Sequence, residues 1–97
     1  MKKRTSNCPI HKTAELLSDV WTMLIMYTLQ DRAMRFCELQ HALEGISTRT
    51  LTLKLKKLEF LNLVTKNEDN AYIITEKGIG LRSVIRAMKK YGEKFLL

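Results

Sequence analysis

Gly45-Ile46-Ser47-Thr48-Arg49-Thr50-Leu51-Thr52-Leu53-Lys54-Leu55-Lys56-Lys57-Leu58-Glu59-Phe60-Leu61-Asn62-Leu63 decides the fold. Gly45 permits a sharp turn, and Ser47 can cap a helix by accepting a hydrogen bond from a first-turn backbone N–H. Beyond it, Leu51, Leu55, Leu58 and Asn62 recur at i, i+4, i+7 and i+11, one face of a helix running from about 48 to 62. Roughly half a turn away, at about 100° per residue, lie Arg49, Thr52, Leu53 and Lys56, with Lys57 beside them. Such a helix docks on its domain by the apolar face. The other face offers guanidinium, hydroxyl and ammonium groups, the chemistry that reads base edges and phosphates in the major groove of DNA.

Working outward toward the N-terminus, Phe36-Cys37-Glu38-Leu39-Gln40-His41-Ala42-Leu43 reads as a helix joined to the first by the turn Glu44-Gly45. Met34-Arg35-Phe36 is a short extended piece after the polar break Asp31-Arg32-Ala33. Asp19 caps a further helix with Trp21, Leu24, Ile25 and Leu29 directed inward. Pro9 suits the first turn of an opening helix with Cys8 as its cap, and Ile10, Thr13, Leu16 and Leu17 give it one apolar side. Toward the C-terminus, the β-rich runs 63–66 and 71–75 flank Asn67-Glu68-Asp69-Asn70, which predicts a hairpin. Thr75-Glu76-Lys77-Gly78 opens a last helix over 76–97 with the stripe Leu81, Val84, Ile85, Met88, Tyr91 and Phe95. The whole is mainly α with a small β-hairpin: a winged helix-turn-helix.

The 97 residues suffice for a single DNA-binding domain, 1–97, with a basic N-terminal tail at 1–7 and a dimerisation helix at 76–97. A core this small is marginal, and a second copy would help to cover it. Net charge is +7 and the pI near 9.7, which favours a polyanion as partner. The charge is segregated: residues 1–12 carry +4, 13–46 carry −3, 47–67 carry +4, 68–75 carry −2 and 76–97 carry +4. The longest apolar stretch, Trp21 to Leu29, is too short to cross a bilayer, and Lys2-Lys3-Arg4 is followed by no signal-peptide pattern. Two cysteines without a secretion signal point to free thiols and a cytoplasmic location.

Several blocks in this order carry a family resemblance. They are Cys-Pro-Ile-His-Lys-Thr at 8–13, Trp-Thr-Met-Leu-Ile at 21–25, Arg-Phe-Cys-Glu-Leu at 35–39 and Gly-Ile-Ser-Thr-Arg-Thr-Leu-Thr at 45–52. Leu-Lys-Lys-Leu-Glu at 55–59 and Tyr-Ile-Ile-Thr-Glu-Lys-Gly at 72–78 complete the set. Over roughly 8–92 the chain resembles the HxlR-type branch of winged helix-turn-helix transcriptional regulators, related to the MarR group. The resemblance implies a homodimer built largely by the first and last helices and a pseudo-palindromic operator. It also implies that the cysteine matching Cys8 serves some relatives as a redox or electrophile sensor. Three departures stand out. The wing is short with an acidic tip, Glu68-Asp69, which argues against contact with phosphates. Leu53 stands where relatives tend to place a polar residue, so base reading there is either weaker or directed at a thymine methyl. Cys37 replaces a frequent asparagine.

Candidate functional residues follow. Arg49 is the expected bidentate reader of guanine, with Ser47, Thr48, Thr52, Lys56 and Lys57 dividing base and phosphate work and Leu53 among them. Arg35, and likewise Lys66 on the hairpin, is either a phosphate clamp or an exposed charge. Ile10 and Leu17 on the first helix and Leu81, Val84, Ile85 and Met88 on the last are the expected dimer contacts. Cys8 at a helix N-terminus, near Arg4, His11 and Lys12, has surroundings that favour the thiolate, whereas Cys37 is expected against the core and shielded. A redox or small-molecule effector is therefore admitted. Cys8, His11, Cys37 and His41 reach a zinc-ligand count, but Cys37 reads better as a small hydrophobe and His41 as surface, so no metal or cofactor is expected. Catalysis has no support: there is no glycine-rich phosphate loop and no carboxylate pair in an apolar setting. Trp21, Tyr72 and Phe36 are read as core, and the five methionines as fillers rather than a ligand box. The main rival is a winged helix used for protein contact through Leu53 and Phe60; a membrane-surface binder using its basic ends is the weaker one.

Overall fold

In the computed structural model, residues 7–97 are described; Lys2, Lys3 and Arg4 of the basic tail lie outside the described residues. The elements run α1 (Pro9–Leu16), α2 (Val20–Thr28), α3 (Phe36–Ala42), α4 (Thr48–Phe60), β1 (Val64–Lys66), β2 (Tyr72–Ile74), α5 (Glu76–Ile79) and α6 (Arg82–Phe95). Three helices start on a side-chain cap that the sequence announces. Asp19 accepts from the Thr22 backbone N–H at 3.0 Å. Ser47 accepts from Thr50 N–H at 3.0 Å, and Thr75 from Gly78 N–H at 3.1 Å. Cys8 holds the cap position of α1 with Pro9 behind it, but its sulfur makes no capping hydrogen bond.

The end of α4 corrects the expectation for Asn62. The helix stops at Phe60, and Asn62 is exposed with φ +61°, outside the apolar face. Leu63 N–H donates to Leu58 C=O at 2.9 Å and Asn62 N–H to Glu59 C=O at 3.0 Å. This is a Schellman closure with asparagine in the left-handed position and Leu63 buried near Leu58. It throws the chain directly into the hairpin. There β1 pairs antiparallel with β2, Val64 opposite Ile74 and Lys66 opposite Tyr72. Met34 bridges Tyr72 through both backbone groups, at 3.1 and 2.7 Å, so the extended piece before α3 lies along the free edge of β2. The turn is held by Asn67, whose Oδ1 accepts from the N–H groups of Asp69 and Ala71 at 2.9 and 3.0 Å.

One apolar cluster joins Ile25, Met26 and Leu29 of the α2 segment, Leu39 and Leu43 from α3 and its end, and Leu51, Leu55 and Leu58 of α4. Ile46 of the turn before α4, Leu63, Val64 and Tyr72 of the wing and Ile85 of α6 complete it. Gly78 sits so close beneath the wing that a Cβ there would collide with Leu63 O and the Ile74 side chain. Three side chains differ from expectation. Leu24 is exposed, because α2 turns Thr22, Ile25 and Met26 inward and Leu24 stands roughly 200° from Met26. Cys37 is exposed for the same reason, two residues from the buried Leu39. Ile85 is only 5% exposed, a core residue of this chain and not a free contact for another. The last helix is also not continuous: α5 ends at Ile79, and the chain turns at Gly80-Leu81 with Leu81 N–H donating to Gly78 C=O at 3.0 Å. Two glycines weaken the helix there, and the turn lets Leu81 and Ile85 pack inward. Val84 and Met88 are left lining an open groove of about 550 Å³ against Pro9, Ile10, Thr13, Ala14 and Leu17 of the α1 segment.

Candidate nucleic-acid interface

The 13 residues of α4 make a rod of roughly 20 Å, held along its inner face, at its start, on its flank and at its end. Leu51, Leu55 and Leu58 anchor its inner face. Gly45, at φ +89°, makes the turn before it. At its start, Gln40 of α3 donates from Nε2 to Thr48 Oγ1 at 3.0 Å, tying the two helices of the motif together. On its flank, Lys54 Nζ meets Asp19 Oδ2 at 3.0 Å, linking α4 to the cap of α2. At its end, Lys77 Nζ donates to Leu61 C=O at 2.9 Å. Gln40, Lys54 and Lys77 were not legible as site residues: each acts across elements, and no local pattern marks it.

The expected DNA-facing residues divide into two groups. Arg49, Leu53, Lys56 and Lys57 are exposed on the outer face of α4, and among the described residues the three cations have no hydrogen-bond or ion-pair partner. The hydroxyls are engaged with the protein. Ser47 Oγ, besides capping, donates to Thr50 Oγ1 at 2.9 Å. Thr48 Oγ1 accepts from Gln40, and Thr52 Oγ1 donates to Thr48 C=O at 2.8 Å. Arg35 occupies the cap position of α3; its backbone N–H donates to Glu38 Oε1 at 2.9 Å and its side chain is exposed. Lys66 is exposed on β1, its ammonium 5.2 Å from the centre of the Tyr72 ring. Glu68 and Asp69 are exposed at the tip of the wing.

One carboxylate stands out electrostatically. Burial pushes the Asp19 carboxyl upward, but hydrogen bonds from the Thr22 side chain, Lys54 and the Thr22 backbone, together with the Lys54 charge, outweigh it and hold Asp19 below the usual carboxylate range.

Cys8 is half-buried and shares a cavity of about 300 Å³ with Ile10, His11 and Ala14. His11 Nδ1 lies 3.6 Å from Glu15 Oε1. Among the described residues no three His, Cys, Asp or Glu side chains converge as a metal site would require, and no helix is long and apolar enough to cross a membrane.

Comparison with known proteins bears on this arrangement. Residues 16–97 match the model of the HxlR-like helix-turn-helix family. A solved MarR-family transcriptional regulator from Porphyromonas gingivalis superposes with a TM-score of 0.89 at 29% identity, covering 99% of this chain and 100% of its own. Quinone-bound YodB from Bacillus subtilis superposes at 0.82 with 32% identity over 91% of this chain and 100% of its own. YodB has also been solved reduced and after diamide treatment. The redox regulator HypR, in its oxidized form, gives 0.80 at 29% identity over 90% of this chain and 96% of its own.

Proposed function

The chain belongs to the HxlR-like helix-turn-helix family of transcriptional regulators, and from that premise we propose that it binds double-stranded DNA sequence-specifically, as a cytoplasmic homodimer on a pseudo-palindromic operator. The observation that carries this reading is the outer face of α4, with three cations that have no partner among the described residues on a rod anchored within the fold. A rigid, unneutralised cationic rod matches the charge and width of the major groove. On this reading Arg49 reads guanine, and Lys56 and Lys57 hold phosphates. Arg35 and Lys66 present further cations on neighbouring elements, whereas the acidic wing tip is repelled by the backbone.

The homodimer rests on the groove between α1 and α6, where Ile10, Leu17, Val84 and Met88 lie together; Leu81 is half-buried against the core. Responsiveness to electrophiles or oxidants rests on Cys8. It lies at the edge of that same helix, so an adduct would disturb the seating of α1 and hence the spacing of the two α4 helices. The YodB structures, with quinone bound and after diamide treatment, name the class of effector to try.

Selection of bound duplexes from a random pool tests the proposal. A two-fold symmetric consensus, bound with an affinity that falls steeply with salt, is expected. Failure to enrich any sequence, with binding insensitive to salt, would instead favour protein contact through Leu53 and Phe60, which are 53% and 84% exposed.

A further inference from the structure

Leu53 occupies the middle of the face that the preceding proposal aims at DNA. Leu51, Leu55 and Leu58 define the inward direction of α4. At about 100° per residue, Leu53 points within roughly 20° of the opposite direction, farther outward than Lys57 and slightly more so than Arg49. Its neighbours one turn away are Arg49 before it and Lys56 and Lys57 after it, all exposed. A half-exposed branched aliphatic side chain ringed by cations gains nothing in water, and no described residue covers its exposed half.

The hydroxyls nearby narrow the choice further. Ser47 and Thr52 spend their protons on Thr50 and on the Thr48 carbonyl, and Thr48 is engaged by Gln40. Discrimination at the centre of the rod therefore falls to the two outward groups that are neither self-bonded nor point charges on flexible stems, Arg49 and Leu53. Base edges in the major groove offer one apolar group only, the C5-methyl of thymine. Leu53 is the sixth residue after the Ser47 cap, within the N-terminal half of the helix, which is the half that reaches base edges in helix-turn-helix docking. Phe60, on nearly the same bearing, lies roughly 10 Å farther along, toward the rim of the contact.

We propose that Leu53 is a specificity-determining residue that packs on a thymine methyl in each half-site, next to the base read by Arg49. The inference rests on the DNA-reading proposal and sharpens it.

The test uses the operator selected from the random pool. Each thymine is replaced in turn by deoxyuridine, which removes the methyl and leaves every hydrogen-bonding group in place. Binding is compared for the wild type and Leu53→Ala, whose side chain is exposed enough to be shortened without opening the core. In the wild type, one symmetry-related pair of replacements is expected to weaken binding, about fourfold per methyl lost. Leu53→Ala should bind the thymine and uracil duplexes alike at that position, while its dependence on the Arg49 base pair persists. A symmetric consensus in which no uracil replacement matters, or an equal loss in wild type and Leu53→Ala, overturns the role of Leu53 alone. A pool that enriches no sequence overturns the DNA-reading proposal and this inference together.

Discussion

Arg49 and Lys57 flank the outward direction of α4 on opposite sides, and their chemistry separates the roles proposed for them. A guanidinium can hold both acceptors of guanine, whereas an ammonium on a flexible stem serves as a point charge for phosphate. Arg49→Ala should therefore cost about 1–3 kcal/mol on the operator and much less on random duplex. Lys57→Ala should weaken both alike and lower the salt slope by about one unit. Fluorescence titrations on the two duplexes at several salt concentrations check this; equal losses for Arg49→Ala on both would remove it as a base reader. The cysteines invite a second comparison. Cys37 is exposed and Cys8 half-buried, so iodoacetamide should reach both, and alkylation should alter operator binding only through Cys8. A Cys8→Ser protein that still loses DNA binding on diamide treatment would place the response elsewhere. Residue by residue, the sequence made the outer face of α4 legible because 3.6-residue periodicity separates residues half a turn apart. It resolved adjacent positions poorly. Val84 and Ile85 share a stripe in sequence, yet one lines a groove and the other fills the core, a difference set by where α6 meets α2.

At the scale of elements, caps and turns were the most legible features, since Asp19, Ser47 and Thr75 act within three residues of themselves. Junctions were not. The Gly80-Leu81 break and the Asn62 closure depend on what the neighbouring elements demand of the chain direction. Two other contacts between elements can be tested. Asp19 fixes the start of α2 and holds Lys54 of α4. Its carboxyl is depressed in the folded protein, so its stabilisation is present above the ordinary carboxylate range and is lost as pH falls through the lower folded value. Asp19→Asn should thus be less stable than the wild type at pH 7, and the two urea midpoints should converge below about pH 4. A gap that stays constant with pH would show that the charge of Asp19 is irrelevant. The seat of the wing is the second contact. Gly78→Ala drives a methyl into Leu63 O and the Ile74 side chain and should destabilise by about 1–3 kcal/mol. Gly92→Ala, in open space within α6, should stabilise by about 0.5–1 kcal/mol. The opposite signs distinguish steric contact from helix propensity.

For the whole molecule, the question is why a chain of 97 residues keeps so much apolar surface exposed. Its core accounts for Ile85 and half-covers Leu81, but Ile10 is 80% exposed, and Met88 borders both the α1 groove and a second groove shared with Met23, Leu24 and Tyr27 of α2. Tyr91 and Phe95 extend the same exposure along α6, their rings 4.9 Å apart. The sequence predicted this surplus from the stripe on the last helix, although it assigned Ile85 to the wrong side of it. A second copy that covers α1 and α6 would also place two α4 rods on one duplex, where half-sites recur at about 34 Å. Binding the second half-site then becomes intramolecular, and affinity for the full operator should far exceed that for either half. The double substitution Ile10→Glu, Met88→Glu introduces charge only at exposed positions, so the monomer fold should survive. Light scattering at micromolar concentration should show the mass fall from a dimer to the 11.3 kDa of one chain. Operator affinity should drop to that of a half-site, while binding to the half-site itself is unchanged. Ile85→Glu, by contrast, buries a charge in the core and should unfold the chain outright. A double variant that remains dimeric and binds the full operator as tightly as the wild type would move the interface away from α1 and α6.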